Sequence, residues 1–143
     1  MQPMNFPPQR ATSAIPVAKK AAKISSQETQ DALYAGGHHM LTLERYVDAA
    51  AFFRVMVLRD AGDERGWLAL GHCHEETGDD EVALQLYEAG VETCECKVRC
   101  LLAAARILRR LGSPVEAERR HRDATREASG DRELWALVCS EEA

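Results

Sequence analysis

No stretch of this 143-residue chain is an unbroken apolar run approaching the ~18 residues that span a membrane, and no apolar core of a secretion signal follows the start. Direct insertion into a bilayer is not expected. The sequence also has no Gly-rich phosphate loop, and no Ser/His/Asp or Cys/His arrangement at a spacing suited to nucleophilic catalysis. We therefore expect neither enzyme activity nor a cofactor. Cysteine occurs five times, an odd number, with no Cys-x-x-Cys pair. That argues against a disulfide framework and for a reducing cytoplasm. His72-Cys73-His74 with Cys94, Cys96 and Cys100 supplies metal-ligand residue types. Two histidines two positions apart on a helix, however, point about 200° apart, so no metal site is expected.

Proline is scarce beyond the start: of five, four are Pro3, Pro7, Pro8 and Pro16, which oppose the amphipathic helix of a mitochondrial transit peptide. Acid is absent there too. Residues 1–27 carry Arg10, Lys19, Lys20 and Lys23, so against an overall charge of −5 the remainder carries −9. An acidic body argues against nucleic-acid binding. The arginines between positions 104 and 126 read as a solvated helix face partly balanced by Glu116, Glu118 and Asp123.

What the chain does have is a beat. Ala49, Ala83 and Ala117 are spaced at 34 residues, the period of the tetratricopeptide repeat (TPR). Phe53 and Tyr87 follow the first two alanines by four positions. Trp67-x-x-Leu70-Gly71-x-x-His74 carries the first-helix signature of the second repeat, and Leu33-x-x-Gly36-Gly37 and Leu101-x-x-Ala104-Ala105 are its counterparts. Small residues at those points let two antiparallel helices approach, and large ones fill the space between them. The fold class is therefore all-α: a three-repeat TPR helical-hairpin solenoid with a C-terminal capping helix.

Local signals set the boundaries. A flexible basic arm is expected over 1–24, with the possibility of a short helix from Pro16 to Ile24, and the TPR domain over 25–143. The repeats fall at about 30–63, 64–97 and 98–130, and the cap at 131–142. Ser25-x-x-Glu28 reads as a capping box that starts the first helix, and Ser113-Pro114-x-Glu116 as the best cap in the chain. Asp63 is expected to cap the helix carrying Trp67, Gly78 to stop it, and Asp79 or Asp80 to cap the next.

Tyr34, His38 and Leu41, at spacings of four and three, share a face of the first helix, and constant rotation between repeats turns that face into a concave wall. One period on stand Leu68, His72 and Glu75; two periods on stand Leu102, Arg106 and Arg109.

The run Leu33-Tyr34-x-x-x-His38-x-x-Leu41-x-x-x-x-Tyr46-x-x-Ala49-x-x-x-Phe53, followed by Leu68-x-Leu70-Gly71, resembles the class II (translocator) chaperones of bacterial type III secretion, over roughly residues 25–140. The resemblance implies a small cytoplasmic chaperone, using no ATP, that holds an extended segment of a hydrophobic translocator protein in its concave groove before export. It also implies possible homodimers through the N-terminal region. The peptide-binding groove would include Tyr34, His38, Leu41, Tyr46, Leu68 and His72, with Leu102 and Arg106 continuing the wall. A general TPR protein-protein adaptor and a chaperone of a needle subunit are the alternatives.

Overall fold

A computed structural model of the chain describes residues 14–141, and the first thirteen positions of the basic arm lie outside the described residues. Among the described residues there are seven α-helices and no strand: α1 (Ala14–Thr42), α2 (Tyr46–Arg59), α3 (Glu64–Glu76), α4 (Asp80–Thr93), α5 (Val98–Arg110), α6 (Pro114–Glu127) and α7 (Arg132–Ser140). The all-α class and the helical-hairpin solenoid are as read from the 34-residue beat.

Each helix packs on the next. In addition α1 touches α3 and α3 touches α5, whereas α2, α4 and α6 make no contact of comparable extent among themselves. The first helices of the three hairpins thus form one inner wall. The crossings lie where the sequence placed them: Ala49, Ala83 and Ala117 are completely buried. A Cβ on Gly37 would sit 2.5 Å from the Phe53 ring, and one on Gly71 would sit 2.3 Å from the Tyr87 ring. Each large second-helix side chain therefore occupies the space its opposing glycine leaves open. In the third repeat the equivalent pair is Ala105 and His121, both buried, so an imidazole takes the slot in which the sequence reading found no aromatic.

The inner helices end alike. Gly78 and Gly112 have φ of +83° and +78°, and one period earlier Glu44 takes the same left-handed turn at +55°. The amides of these residues bond to the carbonyls of Leu41, Glu75 and Arg109, three positions back. The following amides, of Arg45, Asp79 and Ser113, reach Met40, His74 and Leu108. This is the paired closure of a helix C-terminus by a residue in left-handed conformation.

Three expected caps are corrected. The capping box at Ser25 does not begin α1, which runs unbroken through that residue from Ala14, with the Thr29 hydroxyl donating to the Ser25 carbonyl at 2.8 Å. Helix-forming residues on both sides, Ala18 to Lys23 before it and Gln27 to Leu33 after, carry the helix through Ser25. Ser113 does stand at the N-cap of α6 with Pro114 behind it, but its side chain makes no capping bond. Asp79 likewise precedes α4 without one. Asp63 and Asp131 do cap, Asp63 accepting from the Arg65 amide and Asp131 from the amides of Glu133 and Leu134.

Candidate peptide-binding cleft

The inner wall is built from three helix faces in one register. On α1, Tyr34 and Leu41 are half-buried and pack against the Phe53 and Met56 cluster, while His38 is exposed one turn along. On α3, Leu68 and His72 repeat the half-buried and exposed pair. Tyr34, His38, Leu41, Leu68 and His72 together line a cleft of about 450 Å³, bounded also by Ala69, Arg65 and Arg99. A second cleft of about 220 Å³ continues from it, with Leu68 and Arg99 bordering both. Leu102 and Arg106 line this second cleft, and α7 contributes Leu137. Leu102 is only 4% exposed, so it forms floor.

Tyr46 stands apart from the others. It lines a separate pocket of about 170 Å³ with Val47, Ala50, Arg54, Cys73 and His74. The divergence expected of His72 and His74 is visible here, since they open into different pockets. Among the described residues no group of three His, Cys, Asp or Glu side chains could hold a metal ion.

Charge along the wall is organised by buried carboxylates. The Arg65 guanidinium lies 5.1 Å from the centre of the Tyr34 ring and is held there by Asp31 at 3.0 Å and Asp63 at 2.8 Å. This cation over an aromatic face stiffens the ring at the cleft's edge. Behind it Gln30, 2% exposed, donates to Asp63 and to the Met56 carbonyl, each at 3.3 Å. Burial pushes the Asp63 carboxyl upward, but the bonds from Arg65 and Gln30 outweigh it and leave the group below the usual carboxylate range.

One period on, Glu64 accepts from the amides of Arg99 and Cys100 at 3.2 and 3.3 Å. These are the second and third residues of α5, whose own N-cap, Lys97, has no acceptor to offer. Glu64 therefore caps a helix in the next repeat, and burial raises its carboxyl above the ordinary value despite those bonds. Farther along, Glu75 accepts from the Tyr87 hydroxyl and from Arg106 at 2.8 Å, and pairs with Arg110 at 3.1 Å. Burial alone would raise Glu75, yet these partners together draw it below its usual value. Arg106, read from the sequence as open wall, is thus anchored to the neighbouring repeat.

Three features of the site were not drawn from the sequence: Arg65, Arg99 and Leu137. The first two were legible in principle, because Asp31, Arg65 and Arg99 occupy one register position at successive periods. Leu137 had no such signal, since α7 belongs to no repeat.

Three helical hairpins with small-on-large crossings, an inner cleft and a terminal covering helix define a TPR-type helical solenoid. Its particular likeness is to the translocator chaperones of type III secretion. The chain is similar to the Yersinia enterocolitica translocator chaperone SycD, at 25% identity and a TM-score of 0.74, over 81% of this chain and 87% of that one. It is similar also to SycD in complex with a peptide of the translocator YopD, at 25% identity and a TM-score of 0.71, over 80% and 88%. Against PcrH from Pseudomonas aeruginosa the identity is 28% and the TM-score 0.69, over 80% and 89%. No protein-family model and no curated protein matches the chain.

Proposed function

We propose that this chain is a non-catalytic chaperone of type III secretion, acting in the bacterial cytoplasm, that holds an extended segment of a hydrophobic translocator protein in the inner cleft before export. The observation that carries the proposal is an uncovered apolar line, Tyr34, Leu41 and Leu68, on the inner wall of a solenoid similar to SycD, a protein solved with a translocator peptide. In this reading His38, His72, Leu102 and Arg106 extend the binding surface, and Tyr46 acts outside it. The basic arm, residues 1–24, precedes a TPR domain over 25–143 and joins two copies of the chain. No helix among the described residues is long and apolar enough to cross a membrane, which suits a holder better than an inserter.

Nucleotide is not required by the energetics. Two or three apolar side chains seated in the cleft contribute about 1.5–3 kcal/mol each when fully buried, from which ordering of the segment subtracts. Micromolar binding, about −8.2 kcal/mol, lies within reach. Such a complex keeps a membrane-seeking segment in solution and still lets it go.

The test is capture of a hydrophobic partner co-expressed with the chain. Tyr34→Ala and Leu68→Ala combined are expected to reduce capture at least tenfold, with native helix content by circular dichroism. Undiminished capture by a folded double variant would remove the cleft from the function.

A further inference from the structure

The body of this chain is acidic, yet the larger cleft has no Asp or Glu among its lining residues and four basic ones: His38, Arg65, His72 and Arg99. The cations differ in how far their charge is already used. Arg65 is hydrogen-bonded to Asp31 and Asp63, and Arg106 in the adjoining cleft is bonded to Glu75. Arg99 is different. Its side chain is 56% exposed, and its nearest carboxylate oxygen, on Glu64, lies 3.7 Å from Nη1, beyond good hydrogen-bond reach. The other oxygen of Glu64 is occupied by two backbone amides. Arg99 also borders both clefts, as does Leu68. The centre of the wall therefore pairs an apolar seat with a guanidinium that Glu64 engages only through Nη1, in an ion pair of 3.7 Å.

We infer that the bound segment carries a carboxylate side chain two positions from the apolar residue seated on Leu68, and that Arg99 receives it. The spacing follows from an extended chain, in which side chains two residues apart share a face and stand about 6–7 Å from one another, so the acid stays over the larger cleft and clear of Glu141, which lines the second. His38 and His72 line the same cleft and place no negative charge against an incoming acid. The inference rests on the proposed function and specifies its client: a segment with an apolar anchor and an acid two positions away.

Three short labelled peptides distinguish the possibilities by fluorescence anisotropy against the full chain: one with a central Leu and Glu two positions to either side, its Gln counterpart, and the Glu peptide with Ser in place of Leu. The Glu peptide is expected to bind about fivefold more tightly than the Gln peptide at low salt, with the gap closing as salt is raised. Arg99→Gln should bring the ratio between the two peptides close to one, and Arg99→Lys should keep part of it. Should Arg99→Gln fail to fold by circular dichroism, Arg99→Lys and the salt titration of the natural chain decide. Equal affinities of the Glu and Gln peptides for the natural chain, or a ratio untouched by either substitution, overturn the inference while leaving the cleft in place. A Ser peptide that binds as well as its Leu parent overturns the proposed function itself.

Discussion

Glu64 shows how one side chain joins two repeats. Its carboxylate crosses from the start of α3 to the first-turn amides of α5, so its loss leaves two donors at a buried helix end without their acceptor. Glu64→Ala is expected to cost about 1–2 kcal/mol in chemical denaturation. Glu64→Gln keeps an acceptor oxygen and should cost less. The two forms also differ in pH dependence. Because the folded carboxyl of Glu64 titrates above its unfolded value, the folded state holds the proton more tightly. The stability this group contributes is therefore present at pH below the unfolded value and lost as pH rises through the folded one. Relative to Glu64→Gln, the natural chain should weaken across that window and run parallel above it; parallel curves throughout would show that burial does not perturb the group. Asp63 and Glu75 have the opposite sign, their contributions being lost as pH falls through their lowered folded values.

At the scale of the element, the ends of the helices divide into those held by side chains and those held by backbone. Asp131 accepts from two amides of α7, whereas Ser113, the stronger signal by composition, accepts from none. Asp131→Ala should lower stability by about 1 kcal/mol, and Ser113→Ala by less than about 0.5 kcal/mol; thermal unfolding of the two variants separates them. Glu44 presents the converse case. It adopts the left-handed turn that Gly78 and Gly112 adopt one and two periods later, at a cost for a side-chain-bearing residue of about 1–2 kcal/mol. Glycine gives back part of that gain through the freedom of the unfolded chain, so Glu44→Gly should stabilise by about 0.5–1 kcal/mol, visible as a higher unfolding midpoint. Helix existence, order and most boundaries were legible in the sequence because small, large and turn residues recur at a fixed period. Ser25 and Ser113 misled because a capping motif records only what a side chain can do locally. At Ser25 the helix continues on both sides, and at Ser113 the residue takes the N-cap position while its side chain accepts no bond from the first turn of α6.

Over the whole molecule, order comes from neighbour contacts repeated along the stack, so its ends are where apolar surface is left over. The cleft was legible only in part for the same reason. Periodicity gave Tyr34, His38, Leu41, Leu68 and His72 as one lining, but it could not give the ion pairs that fasten Arg65 and Arg106, nor the closure of the second cleft by a helix outside the repeats. That last helix has a definite task. Val138 is buried, and Leu134 and Leu137 pack beside it on Val98, Leu101, Leu102, Ala124 and Ala128. Ending the chain after Gly130 would return this cluster to water. One fully buried and two half-buried apolar side chains correspond to about 3–5 kcal/mol, an upper figure because the unfolded chain also hides some surface. The shortened chain is expected to unfold at a markedly lower denaturant concentration and to bind a hydrophobic dye. Because each repeat touches only its neighbours, hydrogen exchange should accelerate most in α5 and α6 and least in α1 and α2. Uniform acceleration across all helices would mean that the stack melts as one cooperative body and that α7 stabilises the first hairpin as strongly as the last.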